Sequence, residues 1–199
     1  MDTKVNRMLE EIIAAGMGRC VAKLSRVSAG KWSVDGVSVF RRSMDEVLSG
    51  HAAAPGARAV VYFEIRGEHP FTSLVVFRSE DIEILSRGFL GVSFSKLPAP
   101  SQSQEPLFSE LGNIILNAFI GSIFDALRSG FLPAAPKCVQ GEPQYLLEAI
   151  WMTLDPEQQH NVATVTLALR CDSVITRIEV IAVISESLER ALVSAGKKQ

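Results

Sequence analysis

Between Ser109 and Phe124 the chain reads SELGNIILNAFIGSIF, an apolar stretch that carries one carboxylate, Glu110, and two carboxamides, Asn113 and Asn117. On an α-helix these three positions fall along one face, and Gly121 extends that face without a side chain. Leu107, Leu111, Ile114, Ile115, Ala118 and Phe119 take most of the remaining circumference, which leaves a narrow polar ridge on an otherwise apolar helix. A carboxylate can pair with a cation. A carboxamide donates and accepts hydrogen bonds at once, so it can hold and orient a water molecule. On spacing alone the same residues also fit the solvated edge of a core helix, and both readings stand at this point.

Other chemistry is hard to find. There is no glycine-rich phosphate loop ahead of a helix, no serine in a GxSxG elbow and no paired Cys or His. The GMG run at Gly16 to Gly18 is too short for dinucleotide binding and reads as a close-packing contact or the trace of a lost site. His51, His69 and His160 are scattered singly, without metal-ligand spacing, so no metal site is expected. Cys20, Cys138 and Cys171 form no close pair, which suits a reducing compartment and three small apolar side chains. With 20 basic against 22 acidic residues there is no basic stripe, and nucleic acid is not an expected partner. The longest uncharged apolar run, Leu111 to Phe124, falls short of the roughly 20 residues a bilayer needs, so no membrane span is expected. The charged start, MDTKVNRMLEE, reads as no secretory signal, and the expected location is the cytoplasm.

The elements that must position the ridge repeat along the chain. Apolar residues at Leu9, Ile12, Ile13, Met17, Cys20, Val21 and Leu24 predict a long amphipathic helix over residues 5 to 25. Strands are expected at 31 to 40, 59 to 67 and 71 to 78, rich in β-branched and aromatic residues, with a short helix around Met44 to Leu48. Ser79 is a candidate N-cap for a helix that closes near Gly88 or Gly91. Residues 92 to 105, rich in Ser, Pro and Gln, read as a connector. A second long helix then spans about 106 to 128, with Pro106 in its first turn, followed by strands at about 144 to 154, 161 to 170 and 174 to 184. Ser185 caps the last helix, and Trp32 and Trp151 are expected in the core of their strands. Long helix, three strands and short helix, twice over, predict a single α+β domain of two pseudo-symmetric repeats, about 1–91 and 106–199. The strands should form one mostly antiparallel sheet covered by the long helices.

Within that frame, ELGNIILNAFIGSIFDAL resembles the second signature helix of the CheC/CheX/FliY family of chemotaxis phosphatases. The family pattern is Asp or Ser, three residues, Glu, two residues, Asn, then twenty-two residues and Pro. Glu110 and Asn113 match its core, and the count from Asn113 arrives at Pro136. The opening Asp or Ser falls on Pro106, so its contribution is missing or comes from Ser109 or Glu105. In the first half Glu11 is kept, but Ala14 stands at the Asn position and Val37 at the Pro position, which marks a degenerate first site.

The resemblance implies a hydrolase acting on the phosphoaspartate of a CheY-type response regulator. Asn113 would orient the attacking water and Glu110 would pair with the receiver's active-site lysine, with Asn117 and Pro136 in support. No cofactor of its own is expected, since a divalent ion such as Mg2+ belongs to the receiver. A CheD-type receptor deamidase is a further possible partner. The alternative implied is a non-catalytic CheC-like module that docks on a receiver, a flagellar switch component or a CheD-type protein.

Overall fold

The computed structural model describes residues 3–54, 56–91, 104–154 and 160–196. The first half runs α1 (Thr3–Val27), β1 (Trp32–Arg42), α2 (Met44–Ala53), β2 (Arg58–Arg66), β3 (Phe71–Phe77), a 3-10 turn at Ser79–Asp81 and α3 (Ile82–Leu90). The second runs α4 (Glu105–Leu127), β4 (Leu132–Pro133), β5 (Lys137–Gly141), α5 (Pro143–Met152), β6 (His160–Cys171), β7 (Val174–Ser185) and α6 (Glu186–Gly196). Apart from the two-residue β4, the order helix, strand, helix, strand, strand, helix occurs twice. Of the expected connector, residues 92–103 lie outside the described residues, while Gln104 and Glu105 already open α4.

All strand pairings are antiparallel, and the sheet order is β1-β6-β7-β3-β2, with β4 and β5 both on β2. The two halves interlock. Each half's first long-range strand lies against the other half's second: β1 pairs with β6 from Trp32↔Cys171 to Arg42↔Val162, and β5 pairs with β2 from Arg58↔Gly141 to Tyr62↔Lys137. β3 and β7 meet at the centre.

Alternation along the strands sorts the apolar residues onto two faces. On one, Val61, Phe63, Val75, Phe77, Val165 and Val180 meet α1 and α4, with Leu85 of α3 and Leu188 and Leu192 of α6 completing the same core. On the other, Val60, Leu74, Val76, Ile181 and Val183 meet the short helices α2 and α5 through Met44, Val47, Leu147 and Ile150. α1 lies down along Leu9, Ile13, Met17, Cys20 and Leu24, the helical spacing read from the sequence. The aliphatic burial on the α1/α4 face is what orders the sheet and both long helices, at about 25 cal/mol per Å2 of apolar surface removed from water.

Three features fix α4. Phe108 near its start packs on Phe77 with ring centroids 5.3 Å apart, and Phe124 near its end lies between Phe71 and Phe131 at 6.1 and 5.0 Å. Gly112 lets the helix backbone settle on β2, where an added Cβ would stand 2.6 Å from Val61 Cβ. Gly16 does the same at the crossing with α1, where an added Cβ would stand 2.5 Å from Ser122 Cβ and 2.9 Å from the Ala118 carbonyl. By length and composition α4 could cross a membrane, but 67% of its apolar stretch is buried inside this fold.

Several expectations are corrected. Residues 144–154 form no strand; 144–152 belong to the helix α5, the counterpart of α2, and Thr153 and Leu154 to the turn after it. Pro143 suits a first helical turn, and Leu146, Leu147 and Ile150 make one apolar stripe at helical spacing, but LLEAIWM is short enough to pass for a buried strand. The strand role falls to β5, a short and mostly exposed edge segment. Trp151 consequently leaves the core: it is 42% exposed, with its ring edge-on to His160 at 6.3 Å, whereas Trp32 is 6% exposed and donates from Nε1 to Ser28 Oγ at 2.8 Å. Ser79 caps no helix. Its hydroxyl donates to the Ala57 carbonyl at 2.9 Å, and α3 starts only after Asp81, whose carboxylate Arg78 holds at 2.9 Å. Gly91 closes α3 at φ +76°, and Ser185 Oγ accepts from the Leu188 N–H at 3.3 Å. The three cysteines are free; Cys20 and Cys171 are buried and Cys138 half-buried, and burial pushes the Cys20 thiol up to about 12.

Candidate functional site

α4 is buried around most of its circumference, from Leu107 and Phe108 through Leu111, Ile114, Ile115 and Leu116 to Phe124. What stays accessible in its first four turns is the strip of Glu105, Pro106, Ser109, Glu110, Asn113 and Asn117, flanked by Ala118 and continued by Gly121. The ridge read from the sequence is therefore the helix's solvent strip. Glu110 is exposed and, among the described residues, makes no hydrogen bond or ion pair. Asn113, one turn on, is half-buried.

Asn117 adds a contact that spacing alone did not reveal. Its Nδ2 donates to both the Asn113 carbonyl and Asn113 Oδ1, each at 2.7 Å. The Asn113 amide is thereby held with its oxygen toward Asn117, while its Nδ2 makes no hydrogen bond among the described residues. An amide oxygen has a second lone pair, so Asn113 retains one acceptor and two donors for an incoming molecule. A preset side chain also loses less rotamer freedom when a partner arrives.

Pro136 is exposed on the approach to β5. Two residues later Cys138 meets α4: burial raises its thiol pKa first of all, a hydrogen bond with Ser109 lowers it, and the charge of Glu105 raises it. Of the two substitutes considered for the residue missing at Pro106, Ser109 is hydrogen-bonded to Cys138 of β5, and Glu105 acts on it by charge alone. The first half shows what the fixed spacing accomplishes. Glu11, Ala14 and Val37 line one open depression of about 430 Å3 together with Arg7, Asp35 and Gly36, so the strand position is carried past the helix motif. There Ala14 offers only a methyl group, and Glu11 is paired with Arg7 at 3.4 Å. A second groove of about 430 Å3 runs between the helices, lined by Met8, Ile12 and Ala15 on α1 and by Ser122 and Asp125 on α4, with Arg19 and Asp125 paired across it at 2.6 Å.

No family model and no curated protein matches the sequence. Solved structures do. The FliY structure from Thermotoga maritima superposes with a TM-score of 0.76 over 100% of this chain and 98% of that one, at 16% identity. The chain has the CheC-like fold. FliM in the FliG–FliM complex from H. pylori aligns at a TM-score of 0.64, 11% identity and 95% of this chain against 98% of its own. A structure of the CheX–CheY–BeF3–Mg2+ complex from Borrelia burgdorferi aligns at a TM-score of 0.52 and 14% identity, covering 88% of this chain and 97% of that one. At these identities the likeness establishes the CheC-like fold and leaves the activity to be argued from side chains.

Proposed function

We propose that this CheC-like chain hydrolyses the phosphoaspartate of a CheY-type receiver, using Glu110 and Asn113 on α4. The observation that carries the reading is their arrangement: a carboxylate with no partner among the described residues, one turn from an amide whose oxygen Asn117 already holds, on a solvent strip of a mostly buried helix. Loose phosphoryl transfer requires an in-line water more than a strong base. Asn113 supplies the donor and acceptor that hold that water, and Glu110 supplies the charge that docks on the receiver's lysine. The divalent ion belongs to the receiver, so α4 carries only docking and water-positioning groups. The CheX–CheY complex of the same fold supports a CheY-like partner.

Substitution separates the two roles. Asn113→Ala is expected to slow phosphate release from a phosphorylated receiver roughly 100- to 1000-fold while leaving binding near that of the parent chain. Glu110→Ala is expected to weaken binding first. An Asn113→Ala protein that releases phosphate as fast as its parent removes Asn113 from the mechanism.

A second reading, a non-catalytic docking module, is favoured by two specific departures. Pro106 stands where the motif has Asp or Ser, and Ala14 replaces the amide of the first site. The FliG–FliM complex supports a flagellar switch partner for such a module. Receiver binding without faster phosphate loss decides for it.

A further inference from the structure

The face of the sheet opposite α4 carries a different kind of site. α2 and α5 cover only part of that face, and beside α2 a cavity of about 220 Å3 opens over β2, β3 and β7. Four guanidinium groups from four places in the chain line it: Arg42 at the end of β1, Arg58 at the start of β2, Arg78 just after β3 and Arg177 in β7. His51 of α2 lines it too, with a side chain only 9% exposed. Glu179 is the single carboxylate in the lining. In a chain of net charge −2 this is a concentrated positive cluster, formed only when the strands of both halves pair.

Existing contacts account for part of that charge. Glu179 faces His51 Nε2 at 3.5 Å, Arg58 lies 3.4 Å from His51 Nδ1 and donates to the Ala54 carbonyl at 2.9 Å, and Arg78 is held by Glu80 at 2.6 Å and Asp81 at 2.9 Å. Arg42 and Arg177 are exposed and make no ion pair among the described residues; Arg42 lies over the Phe40 ring at 5.7 Å, and its charge also lowers the Glu46 pKa. Guanidinium groups converging on a concave space match the bidentate geometry of phosphate oxygens. The small volume, walled by a helix and a sheet, fits a compact anion better than a folded partner.

We infer that this cavity is a binding site for a small phosphate-bearing anion, with Arg42 and Arg177 as its principal contacts and Arg58 and Arg78 at its wall. It lies on the other side of the sheet from Glu110 and Asn113, so occupancy and phosphatase chemistry are separable.

The test is calorimetric titration of the full chain with inorganic pyrophosphate at low salt, repeated on Arg42→Gln, Arg177→Gln and the double variant. Both side chains are exposed and make no ion pair among the described residues, so the substitutions leave the fold intact, which circular dichroism checks. Saturable binding to the parent chain, weakened roughly tenfold by each single change and more by the double change, supports the site. Absence of saturable binding overturns it, as does equal affinity in the variants. A glutamate-rich peptide that binds where pyrophosphate does not also overturns it, in favour of an acidic protein segment.

Discussion

At the residue scale the proposed reaction divides its labour among three polar groups on one helix. In the proposed reaction Asn113 holds the water and Glu110 docks, while Asn117 Nδ2 presets the Asn113 amide by donating to its Oδ1 at 2.7 Å. Asn117→Ala should therefore leave both reacting groups in place but release the amide to rotate. The expected loss is one neutral hydrogen bond, about 1 kcal/mol, or roughly fivefold slower phosphate release with receiver affinity little changed. Unchanged release in that variant, measured beside Asn113→Ala, confines Asn117 to helix solvation. The identity and spacing of Glu110 and Asn113 were legible in the sequence, because a helix converts three-residue spacing into adjacency. The Asn117–Asn113 contact was not, since which rotamer an amide adopts depends on the packed surroundings. Nor was the arginine cluster beside His51, whose members lie far apart in the chain and meet only through strand pairing.

At the element scale, the two glycines of the GMG run prove to have opposite surroundings. A Cβ at Gly16 would strike Ser122 and the Ala118 carbonyl of α4, whereas at Gly18 it would meet nothing within 4 Å. Gly18→Ala should then stabilise α1 by about 0.5–1 kcal/mol, the ordinary helix-propensity gain. Gly16→Ala should reverse the sign and cost roughly 1–3 kcal/mol by forcing α1 and α4 apart. Urea denaturation of the two variants against the parent checks both signs, and a stabilised Gly16→Ala would refute the close crossing. Long helices and central strands declared themselves through periodicity. The failures came where length was short: α5 and β5 each cover ten residues or fewer, and a brief apolar run such as LLEAIWM satisfies a helix and a buried strand alike. Ser79 failed for a related reason, since its hydroxyl found the Ala57 carbonyl, a partner distant in sequence.

At the scale of the whole molecule, duplication and interlocking act together. Because β1 is paired with β6 and β5 with β2, neither half owns a complete sheet. Fragments 1–91 and 104–199 should each lack a cooperative thermal transition alone and regain one when mixed; a folded, cooperative 1–91 fragment would contradict the interlock. Repetition of the elements was visible in the sequence, but their exchange between halves was not, because register depends on partners nearly the whole chain apart. Interlocking also holds both long helices on one face, so that Glu11 and Ala14 of α1 and Glu110 and Asn113 of α4 lie on neighbouring helices. If the α4 strip turns over acyl phosphate as proposed, the decay of a phosphorylated CheY-type receiver shows it when this chain is present at well below one molecule per receiver. The account predicts that phosphate release speeds up in proportion to the chain added, each copy serving many receivers. Decay at the receiver's own rate, with both proteins folded and bound, would contradict it.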